Sequence, residues 1–294
     1  MENVMKGKKD KTIKKIIDKK MQSWIASITD ERVRDIASKN VIVTGGCIAS
    51  MAMGDRVNDF DVYFRTKEST AAIAEYYANV ANTSGFMPDE LEVEIRHEKK
   101  TNIKGETEER VINYIQSAGV AGNEQESEDG DSISNDEDCN KYEIRFISEN
   151  AITLSGSVQI VTRFYGEPEE IHRNYDFIHA MCYYDYHKSE LSMPVEALRS
   201  MMTRTLQYKG SLYPICSLFR LRKFIKRGWN VSAGQIFKIA HQISEIDLTD
   251  KDILREQLTG VDQLYFNELV NALENAPDDF DSTYVAEIID RMEG

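Results

Sequence analysis

No run of apolar residues in this chain approaches the length needed to cross a bilayer, and residues 1–20 are charged where a secretory signal would carry an apolar core. An intracellular, cytoplasmic protein without a membrane partner is expected. Cysteine is scarce: Cys47, Cys139, Cys182 and Cys216 lie far apart and form no C-x-x-C pair, which argues against a disulfide framework and against common zinc spacings. Positive charge is in the minority, with 36 Lys and Arg against 50 Asp and Glu and a formal net charge of −14. Charge alone therefore argues against a general nucleic-acid binder, because phosphate contacts need clustered cations. A Walker A loop, a Gly-x-Ser-x-Gly elbow and a cysteine-nucleophile context are all missing, which leaves nucleophilic-hydrolase chemistry without support.

What is present suffices for one sizeable core and a second lobe: 294 residues, of which 41% are hydrophobic. Ile13, Ile16, Ile17, Trp24 and Ile25 recur at helical spacing with lysines opposite, so residues 1–40 read as a basic amphipathic helical segment packed on the main domain. Residues 41–188 alternate between strand-like and helical patterns and read as that domain. A polar interruption at about 98–140, strongly acidic between Glu124 and Asp138, is too charged to order itself and reads as a disordered insertion. Residues 189–294 change to a helical period. Leu191, Val195, Leu198, Met202 and Leu206 form one stripe, Ile215, Leu218, Phe219 and Ile225 a second, and Ser232 with Gln235 matches a capping box.

The chemistry concentrates where the apolar strand Val41-Ile42-Val43 runs into Gly45-Gly46, then a short helix, then Asp59-Phe60-Asp61. Side chains alternate along a strand, so Asp59 and Asp61 share a face and suit one or two Mg²⁺ ions. Glycines at a helix start let a polyphosphate approach backbone N–H groups, where the helix dipole favours negative charge.

The stretch from Gly45 through Gly54 to Val62 resembles the signature of the polymerase-β-like nucleotidyltransferase superfamily, and within it most closely the CCA-adding enzymes and bacterial poly(A) polymerases. Gly45, Gly46, Gly54, Asp59 and Asp61 fall at matching spacing. Asp176-Phe177-Ile178-His179-Ala180-Met181 is similar to a segment of the nucleotide site in that family, with Asn174 and Tyr175 where it has two arginines. The run from Arg220 to Trp229 is similar to the arginine-rich helix that follows.

The resemblance implies an α+β fold with a palm-like mixed sheet and a helical C-terminal part. It implies transfer of NMP from an NTP, such as ATP, to an acceptor hydroxyl. Asp59 and Asp61 would be the catalytic ligands of Mg²⁺ or Mn²⁺, and Gly45 and Gly46 would hold phosphates. Arg56, Arg163, Arg220 and Arg222 are candidates for phosphate or base contacts, and Asp176 and His179 for the nucleotide surroundings. The implied acceptor is an RNA 3′ end, tRNA-like or other. The sequence also departs from the pattern. Ala49-Ser50 replaces an Arg-Asp pair, and Gln159 stands on the strand expected to supply a third acidic ligand. An amide oxygen ligates a metal but is a poor general base. Glu143, Glu94 and Asp176 are alternative sources of that carboxylate. Two rival readings follow: transfer to a protein or small molecule, and a nucleotide-binding or structural protein that has lost turnover.

His172, His179 and His187 do not converge on a metal. His172 reads as part of a charged turn, and His179 as a strand residue sharing a face with Phe177 and Met181, near the nucleotide. Tyr175, Tyr183 and Tyr184 suit either base stacking or a core.

Overall fold

The computed structural model describes residues 7–86, 91–101, 107–116, 142–248 and 250–258, together with 283, 284, 286, 287 and 290. The acidic stretch at 124–138, Cys139 and the apolar positions Val285, Ile288, Ile289 and Met292 lie outside the described residues. In chain order the elements are α1 (Asp10–Ser27), α2 (Glu31–Asn40), β1 (Val41–Thr44), α3 (Gly46–Met53), β2 (Phe60–Phe64), α4 (Lys67–Thr83), β3 (Val93–Thr101) and β4 (Thr107–Ile115). After the acidic stretch come β5 (Ile144–Ile147), β6 (Ala151–Leu154), β7 (Val158–Tyr165), α5 (Pro168–Ile171), β8 (Tyr183–Asp185), β9 (Glu190–Ser192) and α6 (Val195–Thr203). The helices α7 (Pro214–Lys226), α8 (Ala233–Ser244) and α9 (Lys251–Leu258) follow. The fold is α+β, as expected, with a mixed sheet and C-terminal helices.

Seven strands pair in the order β5-β6-β7-β2-β1-β8-β9. β2 and β7 run parallel, and the other pairings are antiparallel. Because strand faces alternate, the register fixes two rows. Ile152, Ile160, Val62, Val43, Tyr184 and Leu191 lie side by side in one, facing the helices. Trp24 of α1 packs on Phe64 of that face, and the Tyr184 hydroxyl donates to Asp18.

The first helix is buried along Ile13, Ile17, Met21, Trp24 and Ile25, a stripe spaced for one face. Its indole N–H donates to the Tyr77 hydroxyl of α4 at 2.9 Å, inside the core. Tyr77→Phe leaves that N–H buried without an acceptor and is expected to cost about 1–3 kcal/mol in urea denaturation. A loss below about 0.3 kcal/mol would show that the bond contributes nothing.

Three local readings are corrected. The β3–β4 ladder runs through Glu98–Arg110 and Lys99–Glu109, so strand structure continues into the stretch read as a polar insertion. Those charges are balanced across the ladder and against α4: Glu109 takes Lys99 at 2.8 Å and Lys67 at 2.7 Å. Ser232 is the N-cap of α8, but its side chain makes no capping bond, and the Gln235 amide oxygen instead accepts from Tyr208 N at 2.8 Å. The stripe read around α6 holds only at Leu206, which is buried beyond the end of the helix. Leu191 belongs to β9, Val195 and Met202 are exposed, and the buried positions of α6 itself are Ala197, Ser200 and Met201.

Backbone contacts divide the chain into two units. The first holds residues 1–173 and 179–201, and the second residues 174–178 with 202–294. Within the second, Phe177 bridges to Tyr208 and packs edge-on against Phe224, while Gln257 donates to Leu212 O at 3.0 Å.

Candidate active site

On the other sheet face, the register aligns Thr153, Gln159, Asp61, Thr44, Tyr183 and Ser192 in one row. Each is polar and none is fully exposed. A polar row in the middle of a sheet needs a partner other than the core.

The glycines lie at the edge of this row. Gly45 follows Thr44 with φ +97 and acts as N-cap of α3, while Gly46 opens the helix. A Cβ on Gly45 would sit 2.4 Å from Asp61 Oδ2, whereas one on Gly46 would meet nothing within 4 Å. Only glycine therefore fits at 45, where φ and space both demand it. Gly54 ends α3 in the left-handed conformation, with Asp55 N donating to Ser50 O at 2.8 Å and turning the chain back toward β2. The spacing from Gly45 to Asp61 thus closes into contact.

Asp61 lies in β2, and Asp59 precedes that strand at an exposed position. Burial, and then the neighbouring Asp59 carboxylate, push the Asp61 carboxyl up to about 7. Among the described residues no Lys or Arg offsets that charge. Asp185, on the same sheet face at β8, shows the contrast. Burial raises its carboxyl too, but the Lys188 backbone N–H, Arg65 and the Lys188 ammonium outweigh burial and hold it low. Its Oδ2 takes Arg65 at 2.6 Å and Lys188 at 3.2 Å. One carboxylate is partnered by cations, and the other is crowded by a second acid.

Gln159 on β7 is directly opposite Asp61 in the parallel pair, about 4.8 Å away across the ladder. Glu94 binds Arg96 and Gln116, Glu143 is exposed, and Asp176 pairs with Arg220 at 2.8 Å in the second unit. Among the described residues, no three His, Cys, Asp or Glu side chains gather to hold a metal. Asp59, Asp61 and the Gln159 amide offer oxygen atoms, the donor type that suits Mg²⁺ or Mn²⁺.

The remaining candidates separate. Arg56 is exposed after α3. Arg163 is buried four residues beyond Gln159, about 13 Å along the strand. Arg220 and Arg222 lie on α7, the former bound to Asp176. His179 is buried in a short 3₁₀ turn, not in a strand as read from the sequence. The next residue, Ala180, accepts from Gly45 N at 3.2 Å and so joins that turn to the glycines.

One residue of this region was not singled out from sequence. Thr44 is fully buried and sits 2.8 Å from Nε2 of His172, which was read as part of a charged turn and is itself buried. The signal was a lone hydroxyl at the end of an apolar strand, just before Gly-Gly.

The profile of the family described as "Gad2: Gabija anti-defense 2 family protein" matches residues 15–204. Gabija anti-defense 2 of Bacillus phage SPbetaL7 is 19% identical over 249 residues, covering 83% of this chain and 47% of that protein. This chain spans about half the length of that curated relative. Among solved structures, it is similar to the Thermotoga maritima CCA-adding enzyme complexed with tRNA, at 11% identity and a TM-score of 0.40, covering 92% of this chain and 68% of that one. It is also similar to the Bacillus stearothermophilus CCA-adding enzyme in complex with CTP, at 11% identity and a TM-score of 0.38, covering 86% and 52%. Among the described residues, no helix is long and apolar enough to cross a membrane.

Proposed function

This chain belongs to the Gabija anti-defense 2 family, and on that premise we propose that it serves an anti-defense role through metal-dependent nucleotidyl transfer. The observation that carries the chemistry is Asp61, a carboxylate set against the glycine turn, crowded by Asp59 and offset by no Lys or Arg among the described residues. Such a group is unfavourable alone and becomes favourable beside a cation.

Asp59, Asp61 and the Gln159 amide oxygen would hold Mg²⁺ or Mn²⁺. The chemistry such an ion would supply is to offset the negative charge that develops as a hydroxyl attacks the α-phosphorus and pyrophosphate leaves. Gly45, without a side chain, keeps the turn in contact with Asp61, and Gly46 leaves the first N–H groups of α3 open to phosphate oxygens. Thr44 and Tyr183 extend the polar face beside the acid. The acceptor proposed is an RNA 3′ end, supported by the likeness of the Gly45–Val62 signature to CCA-adding enzymes and poly(A) polymerases.

A second reading has an observation of its own. Gln159 occupies the register position opposite Asp61 where a third carboxylate was expected, which favours nucleotide binding without turnover. Incubation of the full chain with each labelled NTP, Mn²⁺ or Mg²⁺ and an RNA pool, beside a protein pool, separates these readings. The wild type is expected to label RNA, and Asp59→Ala/Asp61→Ala to reduce labelling at least about 10³-fold. Labelling of protein alone would move the acceptor. Nucleotide binding without labelling would favour the second reading, and equal labelling by both proteins would end the transferase proposal.

A further inference from the structure

We propose that His172 is a positioning residue for this site, holding the Gly45 turn in place against Asp61 through the Thr44 hydroxyl. The proposal rests on the nucleotidyl-transfer reading for its functional consequence and on the hydrogen bonds for its geometry.

Thr44 Oγ1 donates to Cys182 O at 2.8 Å and lies 2.8 Å from His172 Nε2. A hydroxyl has one hydrogen, and here the carbonyl takes it. Oγ1 therefore accepts from His172, and the imidazole carries its proton on Nε2. The Thr44 side chain is fully buried and the histidine is only 5% exposed, so water does not compete for either bond. The ring also packs on Tyr183, with centroids 6.0 Å apart. Gly45 N donates to Ala180 O on the same side. The end of β1 is thus tied at two successive residues to the 180–182 segment and at one of them to His172.

The position matters because Thr44 is directly opposite Asp61 in the β1–β2 ladder and directly precedes Gly45. The clearance between Gly45 and Asp61 leaves no room for a methyl group. A shift of Thr44 passes straight into that gap. His172 acts on the turn through the Thr44 hydroxyl and the backbone that follows it.

The experiment uses the full chain. Long-range ¹H–¹⁵N correlation of labelled histidine is expected to show His172 protonated on Nε2, and a proton on Nδ1 alone would overturn the assignment. His172→Gln offers an amide N–H close to the position of Nε2, whereas His172→Phe keeps bulk without a donor. The phenylalanine variant is expected to lose about 10²-fold in kcat for nucleotidyl transfer with KM changed less than about threefold, and the glutamine variant to recover most of that loss. Thr44→Ser and Thr44→Val should divide in the same way. Equal behaviour of the glutamine and phenylalanine variants would overturn the proposal. If the wild type neither binds nor transfers nucleotide, the transfer reading fails separately. The Gly45 amide resonance then decides: it is expected to move in His172→Phe and return in His172→Gln, and an unmoved resonance refutes the positioning role.

Discussion

Gly45→Ala is expected to lower the unfolding free energy by about 3 kcal/mol or more, while Gly46→Ala leaves it unchanged or raises it by about 0.5–1 kcal/mol. The two glycines are neighbours in sequence and opposites in circumstance. At Gly45 the backbone has φ +97, a region that resists a Cβ, and the added methyl would lie 2.4 Å from Asp61 Oδ2. Strain of that kind costs about 1–3 kcal/mol, and overpacking adds a similar amount. At Gly46 the added methyl enters open space in the first turn of α3, where alanine is the better helix former. Urea denaturation followed by tryptophan fluorescence checks both, since Trp24 lies in the core. The double variant Gly45→Ala/Asp61→Ala should recover the part due to the collision but not the part due to φ. A Gly45→Ala protein within about 1 kcal/mol of wild type would mean that the glycine turn and the acid are not in contact.

Asp61→Asn is expected to make the metal-free protein more stable above neutral pH and to remove most of one pH dependence. The Asp61 carboxyl is raised in the folded state from 3.8 to about 7, so between those values the folded chain binds the extra proton and the unfolded chain does not. Stability contributed by that proton is present below about 4 and is lost as pH rises through about 7. With about 1.4 kcal/mol per unit and a side chain that keeps some solvent contact, the loss is on the order of 2–4 kcal/mol. Asparagine cannot ionise and should flatten this part of the profile. Millimolar Mn²⁺ or Mg²⁺ should restore wild-type stability at pH 8 but do little for the variant, because a cation that binds only the folded state stabilises it by mass action. Thermal unfolding at pH 5 and pH 8, with and without the ion, is the measurement. Parallel profiles for the two proteins would remove Asp61 as the source.

What could be read from the sequence and what could not divides by distance along the chain and by how specific each residue type is. Gly45, Gly46 and Asp61 are near one another in sequence, and the closure of β1, α3 and β2 follows from local rules of strand, cap and left-handed glycine. Thr44 and His172 are 128 residues apart, and a buried hydroxyl–imidazole contact leaves no periodic trace. β4 and the second half of β3 were hidden because their charges are compensated across the ladder and by α4, so polarity looked like exposure. Around α6 the error ran the other way: Val195 and Met202 are apolar yet face solvent, and the buried stripe contains Ser200. Gln235 had the spacing of a cap but found a better donor in Tyr208 N. The identity of each residue was informative where chemistry was local and misleading where a distant partner changed its environment.

The parallel pairing of β2 with β7 also governs when the site comes into being. Asp61 and Gln159 meet directly across that ladder although about a hundred residues of chain separate them, so the entropy of closing the loop is spent before their strands gain anything from pairing. The β1–β2 hairpin can bring Gly45 and Asp61 together early, as a local event. Gln159 joins only when the two halves of the sheet meet, so the completed polar face is expected to form later than the Gly45–Asp61 contact.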